Sequence, residues 1–408
     1  MSVAPAASPL NSESHQDGVA PLVVRSHRSI AEIGRDRWQR LTGASQPPHL
    51  SFEWLDALER SGAVAPERGW LPLHLTVERD EQLIAAAPAY LRGDSSGEFV
   101  FDQSWAAFAE RELGQRYYPK LVVAVPFTPA TGPRVLLAPG QDAAFGVGAV
   151  ERGLRALTER LELSGAHVLF PEQGQVALLG AAGWQLRHAI QFHWFNAGYR
   201  TFEEFLGGFT AKRRHQIRRE RRLVAEQGIV VEALTGSSLT PELSSLAHRL
   251  YRSTVDKFFY GRRYLNERFF ELVFESMPER ILLIVARDRA GRIVAGAFNL
   301  LGDDALYGRY WGTLEEVPFL HFECCYYRGV EEAIDRGLSR FEPGAGGEHK
   351  LARGFSPTCL RSAHHLRSPL LARAVEPFLA QERRAIDAEL EAAGLHTGRR
   401  SAGVATGS

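Results

Sequence analysis

Lysine is scarce in this chain. Of 48 basic residues only Lys120, Lys212, Lys257 and Lys350 are lysines, so nearly all positive charge sits on arginine. The three cysteines are Cys324, Cys325 and Cys359, an odd number with two adjacent. That pattern excludes a disulfide framework, fits no zinc spacing and implies a reducing compartment. No apolar run approaches the roughly 20 residues needed to span a bilayer. Net charge is absent as well, with 48 acidic against 48 basic residues, so no global field favours a nucleic-acid or membrane partner. No Gly-rich turn follows the first strand, which argues against a dinucleotide fold. The first twenty or so residues lack the basic-then-apolar order of a secretion signal and read as a disordered Ser/Ala/Pro/Gln-rich tail. A cytoplasmic protein without a membrane span is the expectation.

What is present is globular. With 45% hydrophobic and 24% charged residues over 408 positions, the chain can bury about two to three cores. After a tail at 1–21, periodicity predicts a strand at Leu22–Ser26 and helices at Ile30–Leu41 and Phe52–Ser61. Leu71–Glu78 and Gln82–Leu91 read as a hairpin around Arg79-Asp80-Glu81. A strand at Glu98–Phe101, helices at Gln103–Leu113 and Gly146–Ser164, and strands at Leu121–Val125, Ala166–Phe170 and Trp184–Asn196 complete this half. The second half repeats the order. It has a long helix at Phe202–Gln227, a strand at Ile229–Leu234, and helices at Pro241–Val255 and Asn266–Ser276. The strands Arg280–Asp288, Arg292–Leu301 and Ala305–Thr313 then precede a helix at Phe322–Arg336. Short strands at Ser339–Glu342 and Leu360–Arg367 and a closing helix at Pro369–Ala393 end the pattern. Two similar α+β domains, 22–196 and 197–395, are expected, with a second tail at 396–408.

The chemistry concentrates in Phe341–Phe355, which holds Glu342, Glu348, His349, Lys350 and Arg353 among Gly344, Gly346, Gly347 and Gly354. Glycines there allow positive φ and close approach to a ligand, which a core strand does not need. Glu348 or His349 can accept the proton of an attacking amine, with Glu342 as the alternative. Lys350, Arg353 or loop N–H groups can face an oxyanion or an anionic substrate. The bland alternative is a solvated connector. His321 and Glu323 stand at the start of the Phe322 helix, where a carboxylate is favoured by about 0.3–1 kcal/mol; a simple helix cap reads equally well. Asp102, Trp105, Tyr118 and Lys120 are candidates for lining a groove, with aromatic packing as the competing reading. Lys212–Arg222 carries seven Lys and Arg in eleven positions. Lys212, Arg213, Arg214 and Arg218 could hold phosphate or tRNA, or form an ordinary charged helix face. His193 reads as a packed core histidine. His364 and His365 fall on opposite faces of a strand, and no metal site is expected.

Several segments together resemble a known family. They are Tyr118–Pro129 with Thr131-Gly132-Pro133-Arg134, the basic helix, His321–Tyr327 and the Phe341–Phe355 loop. They are similar to predicted bacterial N-acyltransferases related to the Fem-type aminoacyltransferases of peptidoglycan cross-bridges. The resemblance implies two tandem GNAT-like domains, the acyl-CoA N-acyltransferase fold, and transfer of an acyl or aminoacyl group to a small-molecule or peptide amine. It implies no permanently bound cofactor. It leaves the acyl donor open between acyl-CoA and aminoacyl-tRNA. Where acetyl-CoA enzymes of that fold carry a Gly-rich pyrophosphate turn, this chain has Leu314-Glu315-Glu316-Val317-Pro318-Phe319-Leu320. Two carboxylates there would repel a pyrophosphate, which shifts weight toward aminoacyl-tRNA or another acyl donor. Non-catalytic recognition of peptidoglycan precursors and tRNA binding are the alternative functions.

Overall fold

A computed structural model describes residues 21–42, 46–257 and 262–394. The expected tails therefore lie outside the described residues, apart from Pro21. The chain divides into two compact units that are not continuous in sequence. The first comprises residues 1–189, 264–273 and 360–386, and the second 190–263, 274–359 and 387–408.

In the first unit, β1 (Val23–His27), β2 (Trp70–Pro72), β3 (His74–Arg79), β4 (Gln82–Ala87) and β5 (Ala89–Arg92) come from one region of sequence. The expected hairpin forms, with Asp80 and Glu81 both at positive φ, as a tight turn matched to strand twist requires. Its two arms are each broken once, after Pro72 and at Pro88, where a missing N–H ends the ladder. The halves accordingly join different sheets: β1-β3-β4-β7 with β7 (Leu136–Leu137), and a second sheet in which β2 pairs β5. β5 pairs antiparallel with β6 (Lys120–Val123), and β6 runs parallel to β8 (Gly165–Leu169). Helix Ala143–Arg160 buries Val147, Val150, Leu154 and Leu157 against this frame. Each fully buried side chain of that size contributes roughly 1.5–3 kcal/mol. Two expectations fail locally. Gly34, at φ 89°, divides the first helix into Ile30–Ile33 and Arg35–Thr42. Glu98–Phe101 is not a strand, because Glu98 turns inward to a buried ion cluster and Phe99 takes φ 60°. A helix at Gln173–Ala181 was not foreseen, since its apolar residues show little helical periodicity.

The second unit takes up β9 (Gln185–Phe195) from Ile190 onward, then β10 (Val230–Leu234), β11 (Ile281–Arg287), β12 (Ile293–Leu301), β13 (Ala305–Thr313) and β14 (Arg340–Glu342). The first four of β10–β14 form an antiparallel run, β14 lies parallel to β13, and β9 pairs β14 antiparallel. β15 (Ser356–Leu366) pairs β8 through its residues 362–366, within the first unit. The expected long helix is two helices, Phe202–Gly207 and Ala211–Glu226, because Gly207-Gly208 interrupts it and Thr210 caps the second. Helix Pro241–Val255 lies on β13 so closely that a Cβ on Gly312 would meet the Leu250 carbonyl oxygen at 1.9 Å. Thr254 Oγ1 donates to the Trp311 carbonyl at 2.6 Å along the same contact.

Candidate active site

β13 and β14 share only three pairs, ending at Tyr307 with Glu342. Pro343 follows and cannot donate to the ladder, and an extra residue, Arg309, bulges β13 where Phe298 pairs Tyr310 and Asn299 pairs Gly308. The parallel strands therefore part just where the Gly-rich loop leaves. Gly308 permits the parting point to be tight, since a Cβ there would lie 3.0 Å from Pro343 Cα.

From β13 the chain crosses Leu314–Phe319 to a helical segment starting at Leu320, with Phe319 at φ 67°. Residues Glu323–Tyr327 form a wide π turn before the regular helix Arg328–Asp335. Such a turn re-aims successive side chains and recurs at functional sites. Here it directs Glu323 and Tyr327 toward the basic helix and Tyr326 toward the loop. Glu323 binds Arg221 at 2.9 Å, and Arg221 also reaches Glu331 at 3.1 Å. Burial raises the Glu323 carboxyl against the pull of Arg221. Tyr326 Oη lies 2.8 Å from His349 Nε2.

The loop is ordered by its own backbone. Gly344, Gly346 and Gly347 all take positive φ, and a Cβ on Gly347 would stand 2.6 Å from the His349 ring. A short 3-10 turn, Glu348–Arg353, follows those glycines, where no helical start was expected. Its six residues arise because Gly347 and Gly354 both occupy the left-handed region at its ends. Lys350 is buried, and its ammonium donates to the carbonyls of Gly344 at 2.7 Å and Ala345 at 3.4 Å. Desolvation lowers the Lys350 ammonium to about 8. Arg353 is buried too. It binds Glu220 at 3.0 Å, donates to the His349 carbonyl at 2.9 Å, and stacks 3.4 Å above the Phe322 ring. Glu220 further accepts from Tyr327 Oη and from Gln216.

His349 thus stands exposed on a rigid turn, while His321 sits half-buried nearby with ring centroids 6.0 Å apart. Trp311 and Tyr326 flank His321, each at 5.3 Å. Burial, then His349, Arg353 and Lys350, lower His321 to about 4, so it is neutral at physiological pH. His349 is lowered as well, by partial burial and by Arg353 and Lys350. Of the expected catalytic and loop residues, His349, Lys350, Arg353 and His321 therefore come together. The side chain of Glu348 lies outside the described residues. Glu342 is buried at the strand end, bound to Arg340 at 3.1 Å and 3.9 Å from His193. Tyr326, Glu220 and Trp311 were missed as site residues. Only the π turn and the folding of three distant segments place them here.

In the first unit, Asp102, Tyr118 and Lys120 also meet, but inside the fold. Lys120 Nζ donates to Glu98 at 2.7 Å, Asp102 at 2.5 Å and Ser95 at 2.8 Å. Tyr118 Oη lies 2.8 Å from Ser95 Oγ, and Arg92 binds Glu98 at 3.0 Å while stacking on Trp70. Lys120 and the hydrogen bonds hold Asp102 well below the usual carboxylate range despite its burial. Trp105 is buried beside His364 and beneath the Arg187 guanidinium. On the basic helix, Lys212 and Arg218 are exposed, with Arg218 bound to Glu203 at 2.6 Å. Arg213 donates to Gln216 and Arg214 to the Phe209 carbonyl, so the fold occupies part of the positive face.

Leu314–Phe319 does not fit a pyrophosphate. It contains no glycine, and it presents Glu315, which is bound to Arg292 at 3.3 Å, and Glu316. Among the described residues no group of three or more His, Cys, Asp or Glu could hold a metal, and no helix is long and apolar enough to cross a membrane.

A FemAB-like family model, described as peptidoglycan biosynthesis/recognition, matches residues 29–399. No curated protein sequence matches the chain. Among solved structures, FemX covers 84% of this chain and 98% of its own at 11% identity, with a TM-score of 0.51. L-PGS from Bacillus licheniformis covers 88% and 99% at 11% identity and a TM-score of 0.47. A tandem GNAT protein from the clavulanic acid biosynthesis pathway covers 85% and 99% at 11% identity and 0.44. The fold is α+β and tandem GNAT-like, as the family resemblance implied.

Proposed function

Because the chain belongs to the FemAB-like family, we propose that it transfers an acyl or aminoacyl group to an amine acceptor of the cell-wall precursor class. The observation that carries this reading is the exposed, neutral His349 held 2.8 Å from Tyr326 on a turn that Arg353 and Lys350 lock in place. With Nε2–H donating to Tyr326 Oη, His349 Nδ1 presents a lone pair to an incoming ammonium or amine.

His349 takes the proton as the amine nitrogen attacks the donor carbonyl carbon. The carbonyl π electrons move to oxygen, giving a tetrahedral oxyanion. Lys350 spends two of its three N–H donors on loop carbonyls, which leaves one to face that oxyanion together with loop N–H groups. Collapse of the intermediate reforms the carbonyl and expels the donor's leaving group, which takes the proton from His349. His321, neutral and aromatic-walled, adds no positive charge of its own where the amine must lose a proton. The acidic Leu314–Phe319 turn favours a donor other than acyl-CoA, with aminoacyl-tRNA the first to test.

The test is turnover with a panel of acyl-CoA, acyl-carrier-protein and aminoacyl-tRNA donors against peptidoglycan-precursor amines. His349→Ala should lower kcat by about 10²–10⁴, the usual contribution of a general base, while the melting temperature stays unchanged. Unchanged turnover in His349→Ala refutes the assignment to His349. Its persistence together with loss in Glu348→Gln moves the base to Glu348.

A further inference from the structure

The first unit contains a cavity of about 720 Å³ that the proposed chemistry does not use. Its walls come from the end of helix Gln103–Arg111, the Gln115–Pro119 segment, the Leu161–Ser164 turn and the start of helix Pro369–Gly394. Two arginines, Arg116 and Arg367, line it. Among the described residues neither has a carboxylate within ion-pair distance, whereas arginines such as Arg92, Arg221 and Arg353 do. Arg367 is held by neutral acceptors instead, donating through Nε to the Leu163 carbonyl at 2.7 Å and through Nη2 to that of Glu162 at 3.4 Å. Its charge is therefore fixed in position but not neutralised. Arg116, also on the lining, is exposed.

Two further features share the cavity. Ser164 lines it, and its hydroxyl oxygen is shut off from water without a hydrogen-bond partner. Ser368 caps the 26-residue helix, accepting from the Leu371 N–H at 3.3 Å, so the positive end of that helix dipole also opens here. Glu162 is the one acidic residue of the lining. Pro119, Leu161 and Leu371 supply apolar surface beside these polar groups.

We propose that this cavity binds a phosphate ester, with the phosphate between Arg116 and Arg367 and the organic part on Pro119, Leu161 and Leu371. A guanidinium pair that keeps its charge uncompensated suits a dianion, and the volume exceeds what inorganic phosphate alone would fill. The site is separate from the amine-transfer chemistry and survives or fails independently of it.

Glycerol 3-phosphate and inorganic pyrophosphate, titrated into the full chain by calorimetry, are the probes. Both should bind, and Arg116→Glu should weaken them by roughly tenfold or more, as expected for loss of a charge-assisted contact and reversal of the charge. Glu162→Gln should tighten both. Arg219→Glu on the basic helix is the control and should leave both unchanged. Arg116 is exposed and has no ion-pair partner among the described residues, so its substitution tests binding without threatening the fold. Absence of binding, or binding lost in Arg219→Glu and retained in Arg116→Glu, overturns the proposal.

Discussion

The Glu220–Arg353 pair should be the most sensitive electrostatic contact of the second unit. Both side chains are under one-tenth exposed, and Glu220 meets Arg353 Nη2 through both carboxylate oxygens, at 3.0 and 3.2 Å. Glu220→Met removes the only carboxylate bound to Arg353 among the described residues and also strands Tyr327 Oη. What remains to Arg353 is one backbone carbonyl and the face of Phe322. Breaking a buried pair in this way costs about 3–5 kcal/mol, because the surviving charge is left in a medium that solvates it poorly. For a unit of this size that corresponds to a loss of about 2–4 °C in melting temperature for each kcal/mol. Replacing both partners by methionine should recover most of the loss, since two charges are then absent rather than one stranded. Urea denaturation of Glu220→Met, Arg353→Met and the double variant measures the coupling directly. A cost below about 1 kcal/mol for either single variant, or strict additivity in the double one, would show that water reaches Arg353 and that the turn carrying His349 is not held as described.

Other consequences follow from the same geometry. Lys120→Met should destabilise the first unit by about 3–5 kcal/mol, because Glu98 and Asp102 lose their shared cation; chemical denaturation checks this. His364 is lowered to about 3 by burial and neighbouring Arg187, and His167, 2.8 Å away, is likewise lowered well below its usual value by burial and Lys120. Both are neutral in the fold and bind protons more readily unfolded. Stability should therefore be full above pH 6.5 and fall as pH drops below it, by up to about 1.4 kcal/mol per pH unit for each histidine; His364→Gln should flatten that slope. Gly312→Ala should disrupt the contact of helix Pro241–Val255 with β13, since its methyl would occupy the Leu250 carbonyl, and thermal melting should show a large loss.

Much of the element order was legible because it rests on local physics. Periodicity marked the Ala143–Arg160 helix, alternation and turn residues marked the Arg79–Gln82 hairpin, and Ser51 caps a helix that starts at Phe52, where the apolar pattern began. The glycines of the Phe341–Phe355 loop likewise announced a backbone of unusual φ, and their positive values bear this out. What no local pattern could decide was the destination of each charge. Lys120 and Asp102 looked like groove residues, yet hydrogen bonds from segments up to 25 positions apart draw them into a closed network. Arg221 and Arg353 looked like free cations until residues 102 and 133 positions away, respectively, supplied their carboxylates. Tyr326 became a partner of His349 only through the π turn that rotates it toward the loop. Local sequence determined where the chain bends, coils and extends, because those choices depend on neighbours a few residues apart. Burial and ion pairing depend on which distant surfaces meet, so only the tertiary structure decided which of the many charged side chains remain available for chemistry.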